Sequence, residues 1–111
     1  MGARRRRPAK MLDLRDRLKN ASEQAVLNFP NQSRFFDPTR RAVRFWGHDS
    51  AMEWSFFVTE DALKRLQPKM APDEASLLLA FDAHRAAIYK AAVKIYSRGR
   101  KGSYELLATD F

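Results

Sequence analysis

The sequence has no cysteine. Disulfide frameworks, thiolate metal sites and cysteine nucleophiles are thereby excluded, and the composition suits a reducing compartment, so a cytoplasmic location is expected. Glycine is scarce as well, four residues scattered along the chain, too few for a phosphate-cradling loop. No apolar run approaches the roughly 18 residues that a membrane span requires, and the N-terminus lacks the continuous apolar stretch of a secretory signal. A soluble chain with no membrane span is expected. Length sets a further limit: 111 residues hold one domain with one modest core, and a 45% hydrophobic, 12% aromatic composition is that of a globular protein.

Acidic side chains are outnumbered, 13 against 21 basic ones, giving a formal charge of +8 and a pI near 10.3. Such an excess ordinarily points to nucleic acid, through phosphate neutralisation and counterion release. Its placement is uneven. Residues 1–26 hold eight basic residues (Arg4, Arg5, Arg6, Arg7, Lys10, Arg15, Arg17, Lys19) against three acids (Asp13, Asp16, Glu23), a net of +5, and residues 27–111 carry only +3. Met1 to Lys10 is a charge run with almost nothing to bury and reads as a disordered, solvated tail, the functional alternative being a basic arm for nucleic acid or an acidic membrane surface. Met11 to Val26 places Leu14, Leu18, Ala21 and Ala25 at helical spacing, a weakly amphipathic helix at the end of this basic extension.

What the chain has in strength is Ala42 to Val58, two alternating runs of β-branched and aromatic residues around Gly47-His48-Asp49-Ser50. The alternation predicts a β-hairpin. With the turn at Gly47 to Ser50, Phe45 faces Met52, Val43 faces Trp54 and Arg44 faces Glu53. One face is then Val43, Phe45, Met52, Trp54, Phe56 and Val58, apolar throughout and expected to build the core. The other carries Ala42, Arg44, Trp46, Glu53, Ser55 and Phe57.

Around the hairpin, Leu27 to Pro30 reads as a brief first strand and Arg34 to Arg41 as a turn centred on Asp37-Pro38. Thr59 is a good N-cap, with Glu60 and Asp61 complementing the helix dipole and Pro68 ending the helix. A long helix is predicted from about Asp73 to Arg98, with Leu77, Phe81, His84, Ile88, Ala92 and Ile95 along one stripe. Gly99 is the expected C-cap and Tyr104 to Ala108 a last strand. The predicted fold class is α+β: an antiparallel sheet, in the order β-β-β-α-α-β, covered on one face by the long C-terminal helix. Residues 27–111 form the single domain and 1–26 its basic extension.

From Leu27 onward, L-N-F-P-N, then D-P-T-R-R-A-V-R-F-W-G, a hairpin strand, a helix with F-D-A-H-R and a final G-S-Y-E-L-L-A-T-D-F resemble a small bacterial family called domain of unknown function 1488. The resemblance covers about residues 27–111 and implies a compact bacterial α+β protein. It implies no activity, cofactor or site residue. Family members start close to the L-x-F-P stretch, and Val26 precedes it; bacterial translation can start at GUG, which reads internally as valine. Residues 1–25 are therefore expected to be no part of the natural product, or a poorly ordered addition.

No catalytic set emerges. His48, Asp49 and Ser50 are adjacent on a turn, and a Ser-His-Asp relay needs groups converging from separate elements. His84 lies on an apolar stripe without a second ligand at metal spacing, which predicts a half-buried, hydrogen-bonded histidine. Asp82 and Arg85 are an ordinary helix pair. What remains is the hairpin's outer face: Arg44, Trp46 and Phe57, with Arg40 and Arg41 before it and Arg98, Arg100 and Lys101 nearby. Aromatics interleaved with arginine on a sheet stack bases, whereas two large aromatics on one face also mark a patch covered by the extension or by a second subunit. The expected function is a non-catalytic interaction module, self-associating, with nucleic-acid binding as the alternative and an unrecognised enzyme third; no cofactor, metal or small-molecule ligand is indicated.

Overall fold

The computed structural model describes residues 27–97 and 100–111. The readings of residues 1–26, Arg98 and Gly99 lie outside the described residues.

Strands β3 (Ala42–Asp49) and β4 (Met52–Thr59) form the hairpin. It turns on two residues, Ser50 and Ala51, with Ser50 at φ 56°. Two-residue hairpin turns match the twist of their strands by using positive φ, so the tip lies further out than Gly47 suggests. The predicted register is corrected accordingly: Phe45 faces Phe56, Val43 faces Val58 and Arg44 faces Phe57. Glu53 faces His48 instead and stands 2.9 Å from its Nε2. The slip along β4 is an even number of residues, so every side chain keeps its expected face, but Met52, expected in the core, pairs with Asp49 beside the turn and is 56% exposed, because the helices do not reach the hairpin's tip.

β1 (Leu27–Asn28) and β2 (Phe35–Asp37) both pair antiparallel with β3 on its other edge, β1 at the end of β3 and β2 at its start. β2 is a strand where the sequence indicated only a turn. The turn itself follows it: Asp37 Oδ1 accepts from the backbone N–H groups of Thr39 (3.0 Å) and Arg40 (3.1 Å), and Arg41 takes φ 51° to re-enter the sheet.

From β4 the chain enters α1 (Glu60–Leu66), α2 (Glu74–Ala83) and α3 (Arg85–Ile95), then returns as β5 (Ser103–Leu106) beside β4. A helical crossover brings a chain back in the direction in which it left, so β5 is parallel to β4. The sheet is mixed, not wholly antiparallel, with β1 and β2 on one side of β3 and β4 and β5 on the other. Thr59 Oγ1 accepts from the Ala62 N–H (3.1 Å), the expected cap of α1. The predicted long helix is two helices meeting at His84, whose φ −118° and ψ 22° leave the helical region. Its ring is drawn to Gln67 at the end of α1, with Nε2 3.3 Å from Oε1.

The core lies between the sheet's inner face and these helices. Val43, Phe45, Phe56, Leu77, Phe81 and Ile88 are fully buried together, with Trp54 and Ile95 packed against them. Phe45 and Phe56 stack at 5.4 Å, and Phe56 and Tyr104 at 5.1 Å. Gly47 sits under this layer: a Cβ there would come within 2.8 Å of Leu27 Cδ1, 3.0 Å of Phe56 Cε1 and 3.1 Å of Phe29 Cε1. Its place in the strand is a matter of space, not of turning the chain. Among the described residues no helix is long and apolar enough to cross a membrane.

Candidate functional site

The helices cover one face of the sheet, and the register arranges the other into rows. Phe35, Arg44, Phe57 and Glu105 stand side by side across β2, β3, β4 and β5; Trp46, Ser55 and Ser103 form the next row. Alternation along β3 is what sends Arg44 and Trp46 to the same side.

The Arg44 guanidinium is held from three directions. Its carbon is 5.1 Å from the Trp46 ring centre and 5.7 Å from that of Phe57, and Nε and Nη2 both donate to Ser55 Oγ, at 3.2 and 2.7 Å. Arg40, projecting from the β2–β3 turn, lays its guanidinium 4.1 Å from the Phe57 ring centre. Cation–π contacts of this kind contribute about 0.5–1 kcal/mol each at exposed sites. The consequence for Phe57 is that only 6% of it reaches solvent. Trp46 is half-buried, and Phe35, at 58% exposure, is the open aromatic of the face. No carboxylate among the described residues pairs with Arg44, whereas Arg40 forms a long ion pair with Asp37, Nε 3.9 Å from Oδ2.

The remaining arginines and lysines of the predicted surface go elsewhere. Arg41 donates through Nε to Glu60 Oε1 (2.9 Å) and through Nη2 to the Pro72 carbonyl (2.8 Å), and lies 5.4 Å from the Phe36 ring, tying the hairpin's base to the helical layer. That hydrogen bond holds the Glu60 carboxyl below its ordinary range. Lys101 places its ammonium 5.9 Å from the Tyr104 ring, on a residue that faces the core, and Arg100 is exposed in the same loop. Arg98 lies outside the described residues.

The adjacent His48, Asp49 and Ser50 disperse. His48 meets Glu53, Asp49 accepts from the Tyr96 hydroxyl at 2.5 Å, and Ser50 is exposed at the tip. Asp82 receives two arginines: Arg34 in bidentate fashion at 3.0 and 2.8 Å, and Arg85 through Nε (3.2 Å) and Nη2 (2.8 Å). The Arg34 hydrogen bonds hold its carboxyl below the ordinary aspartate range. Arg85 also donates to the Gln32 carbonyl (2.9 Å) and the Tyr89 hydroxyl (2.7 Å), so the expected helix pair is one part of a clasp between the segment before β2 and the helices. Among the described residues no group of three or more His, Asp or Glu side chains gathers as a metal set.

A family model described as protein of unknown function (DUF1488) matches residues 27–107. The chain belongs to the DUF1488 family. The chain is similar in fold to a crystal structure of a DUF1488 protein of unknown function from Shewanella loihica PV-4, determined at 1.60 Å, with a TM-score of 0.62 at 17% identity over 73% of this chain and 91% of that one. A search of the curated proteins finds no match. Within this DUF1488 chain, four of the predicted surface residues, Arg40, Arg44, Trp46 and Phe57, come together. Phe35 was missed; the signal for it is its parity with Arg44 across β2 and β3, which shows only once β2 is recognised as a strand.

Proposed function

We propose that the protein is a non-catalytic interaction module whose outer sheet face, built from Phe35, Arg40, Arg44, Trp46 and Phe57, is its docking surface, and that this surface takes an anionic partner. The observation that carries this is Arg44: a guanidinium fixed by Ser55 Oγ and two rings, with no carboxylate partner among the described residues. A stacked guanidinium keeps its N–H edge for a planar anion, and holding it in place beforehand removes part of the ordering cost of binding.

Self-association is the second reading, favoured by Phe35, which stands open in the row of the covered Phe57, with Arg44 between them. Phe57, beneath Arg40 and Arg44, supplies less apolar surface for it than the alternation alone suggested.

The test is titration of the full chain with a short polyglutamate, comparing Arg44→Met with Lys90→Met, a charge removed from the exposed side of α3. Weaker binding by Arg44→Met alone supports the anionic surface, and equal loss from both variants refutes it. Sedimentation over a range of concentrations reads the self-associating alternative in the same samples.

A further inference from the structure

Resting on that reading, we infer that the occupant of the outer face is single-stranded nucleic acid, with bases stacking on Phe35 and Trp46 and phosphates meeting Arg40 and Arg44. The geometry supplies both halves of the recognition. Phe35 pairs with Arg44, so Trp46, two residues along β3, is its diagonal neighbour, about 7–8 Å away as such positions are in antiparallel pairs. Two aromatic side chains on one sheet face, one open and one half-buried, give successive bases a platform that needs no particular sequence.

The cations lie beside these rings. Arg44 spends Nε and Nη2 hydrogens on one acceptor, Ser55 Oγ, and its other N–H groups have no acceptor among the described residues. Arg40 lies over Phe57 beside it. Ser55 and Ser103 add hydroxyls in the row of Trp46. A duplex keeps its base faces stacked inside, out of reach of such a platform, and this selects the single strand.

Charge complementarity points the same way. Residues 27–111 carry a net +3, and on this face Arg44 stands unpaired with a carboxylate among the described residues while Glu105, two strands away in its row, is the nearest acid of that row. An acidic peptide meets the arginines equally well but leaves Phe35 and Trp46 without planar partners.

Two tryptophans make the test specific, because Trp46 lies on this face and Trp54 on the inner one. The full chain is titrated with a fluorescein-labelled oligothymidylate of about 12 nucleotides, within the site sizes that sheet platforms use. Anisotropy and tryptophan emission are followed together. The Trp54→Phe form, with Trp46 alone, is expected to lose emission on binding; the Trp46→Phe form is expected to keep it. Arg44→Met is expected to weaken binding at least tenfold at low salt, and the duplex of the same sequence to bind without quenching Trp46. A chain with Arg4, Arg5, Arg6 and Arg7 changed to serine is expected to bind more weakly yet still quench. Binding that survives Arg44→Met and disappears with the serine variant overturns the inference, because the extension alone is then responsible. Polyglutamate binding that depends on Arg44 while the oligonucleotide leaves Trp46 unquenched overturns the nucleic-acid occupant and leaves the anionic surface standing. If neither probe depends on Arg44, both fall.

Discussion

The rings of Phe29 and Tyr89 lie parallel, 4° apart in plane and 4.1 Å between centroids. That stack fixes the segment after β1 onto α3, and the Tyr89 hydroxyl continues the connection through Arg85 to Asp82 and Arg34. Arg34 immediately precedes Phe35, so this clasp also sets where β2, and with it the open aromatic of the outer face, begins. The outer face is thus positioned from the far side of the sheet, by contacts of the segment between β1 and β2 with α2 and α3.

The clasp makes stability depend on acid. The Asp82 carboxyl is held below its ordinary range first by the Arg34 hydrogen bonds, against the opposing effect of burial, with Arg85 adding to the lowering. A carboxylate whose folded pKa is depressed contributes stability that is complete above its unfolded value, about 3.9, and is lost as pH falls through the folded value. Urea midpoints of the full chain and of Asp82→Asn should therefore differ most above about pH 5 and converge in stronger acid. The native chain should keep some acid slope from Glu60, lowered in the same sense by Arg41. A difference between the two chains that is constant with pH would remove Asp82 from this role.

Gly47→Ala should destabilise the domain by about 1–3 kcal/mol, as overpacking of a filled core does. The new Cβ would sit 2.8 Å from Leu27 Cδ1 with two aromatic edges at 3.0 and 3.1 Å, and Leu27 lies in a strand of only two residues, the element most easily displaced. The measurement is a urea midpoint at unchanged slope, with hydrogen exchange at Leu27 and Asn28 rising first. An unchanged midpoint would mean that β1 yields without cost.

This glycine also shows what was legible in the sequence and what was not. Alternation assigned every hairpin residue to the right face, because the period of two survives any even slip of register. It set the turn too early, at Gly47 to Ser50, since Gly47 is the hairpin's one glycine and the structure spends it on close packing, leaving Ser50 to take positive φ. Arg44, Trp46 and Phe57 could be grouped by parity alone. Arg40 and Arg41 could not be separated, because their divergence depends on one residue at φ 51° sending the second arginine toward Glu60. A bend at His84 leaves the helical periodicity of the apolar stripe intact and so leaves no trace in it.

Thr59→Ala should cost about 0.5–2 kcal/mol, the range for loss of a helix N-cap. Thr59 ends β4 and accepts from the Ala62 N–H at 3.1 Å, so its loss orphans a donor where strand passes to helix. Thr59→Ser keeps the oxygen and should recover most of the loss in the same urea titration. If serine fails to recover it, the strand end rather than the cap is what threonine supports.

Phe81→Ala should cost about 3–5 kcal/mol, as truncation of a buried aromatic does. Phe81 is fully buried at the centre of the ring cluster, 5.3 Å from Phe45 on the sheet and 6.5 Å from Tyr89 on α3, with the Arg85 guanidinium 4.8 Å from its ring centre. Its removal therefore leaves a cavity between layers held by three separate elements, and such a site collapses poorly. Phe81→Leu retains much of the volume and should cost less than half as much, whereas a loss of the Arg85 contact alone would affect both variants equally. Urea midpoints of the two variants, with near-ultraviolet circular dichroism to report the ring cluster, decide the matter. Equal, small losses would mean that the sheet and α2 are held together mainly through the polar clasp at Asp82, and that the aromatic layer fills space without carrying the fold.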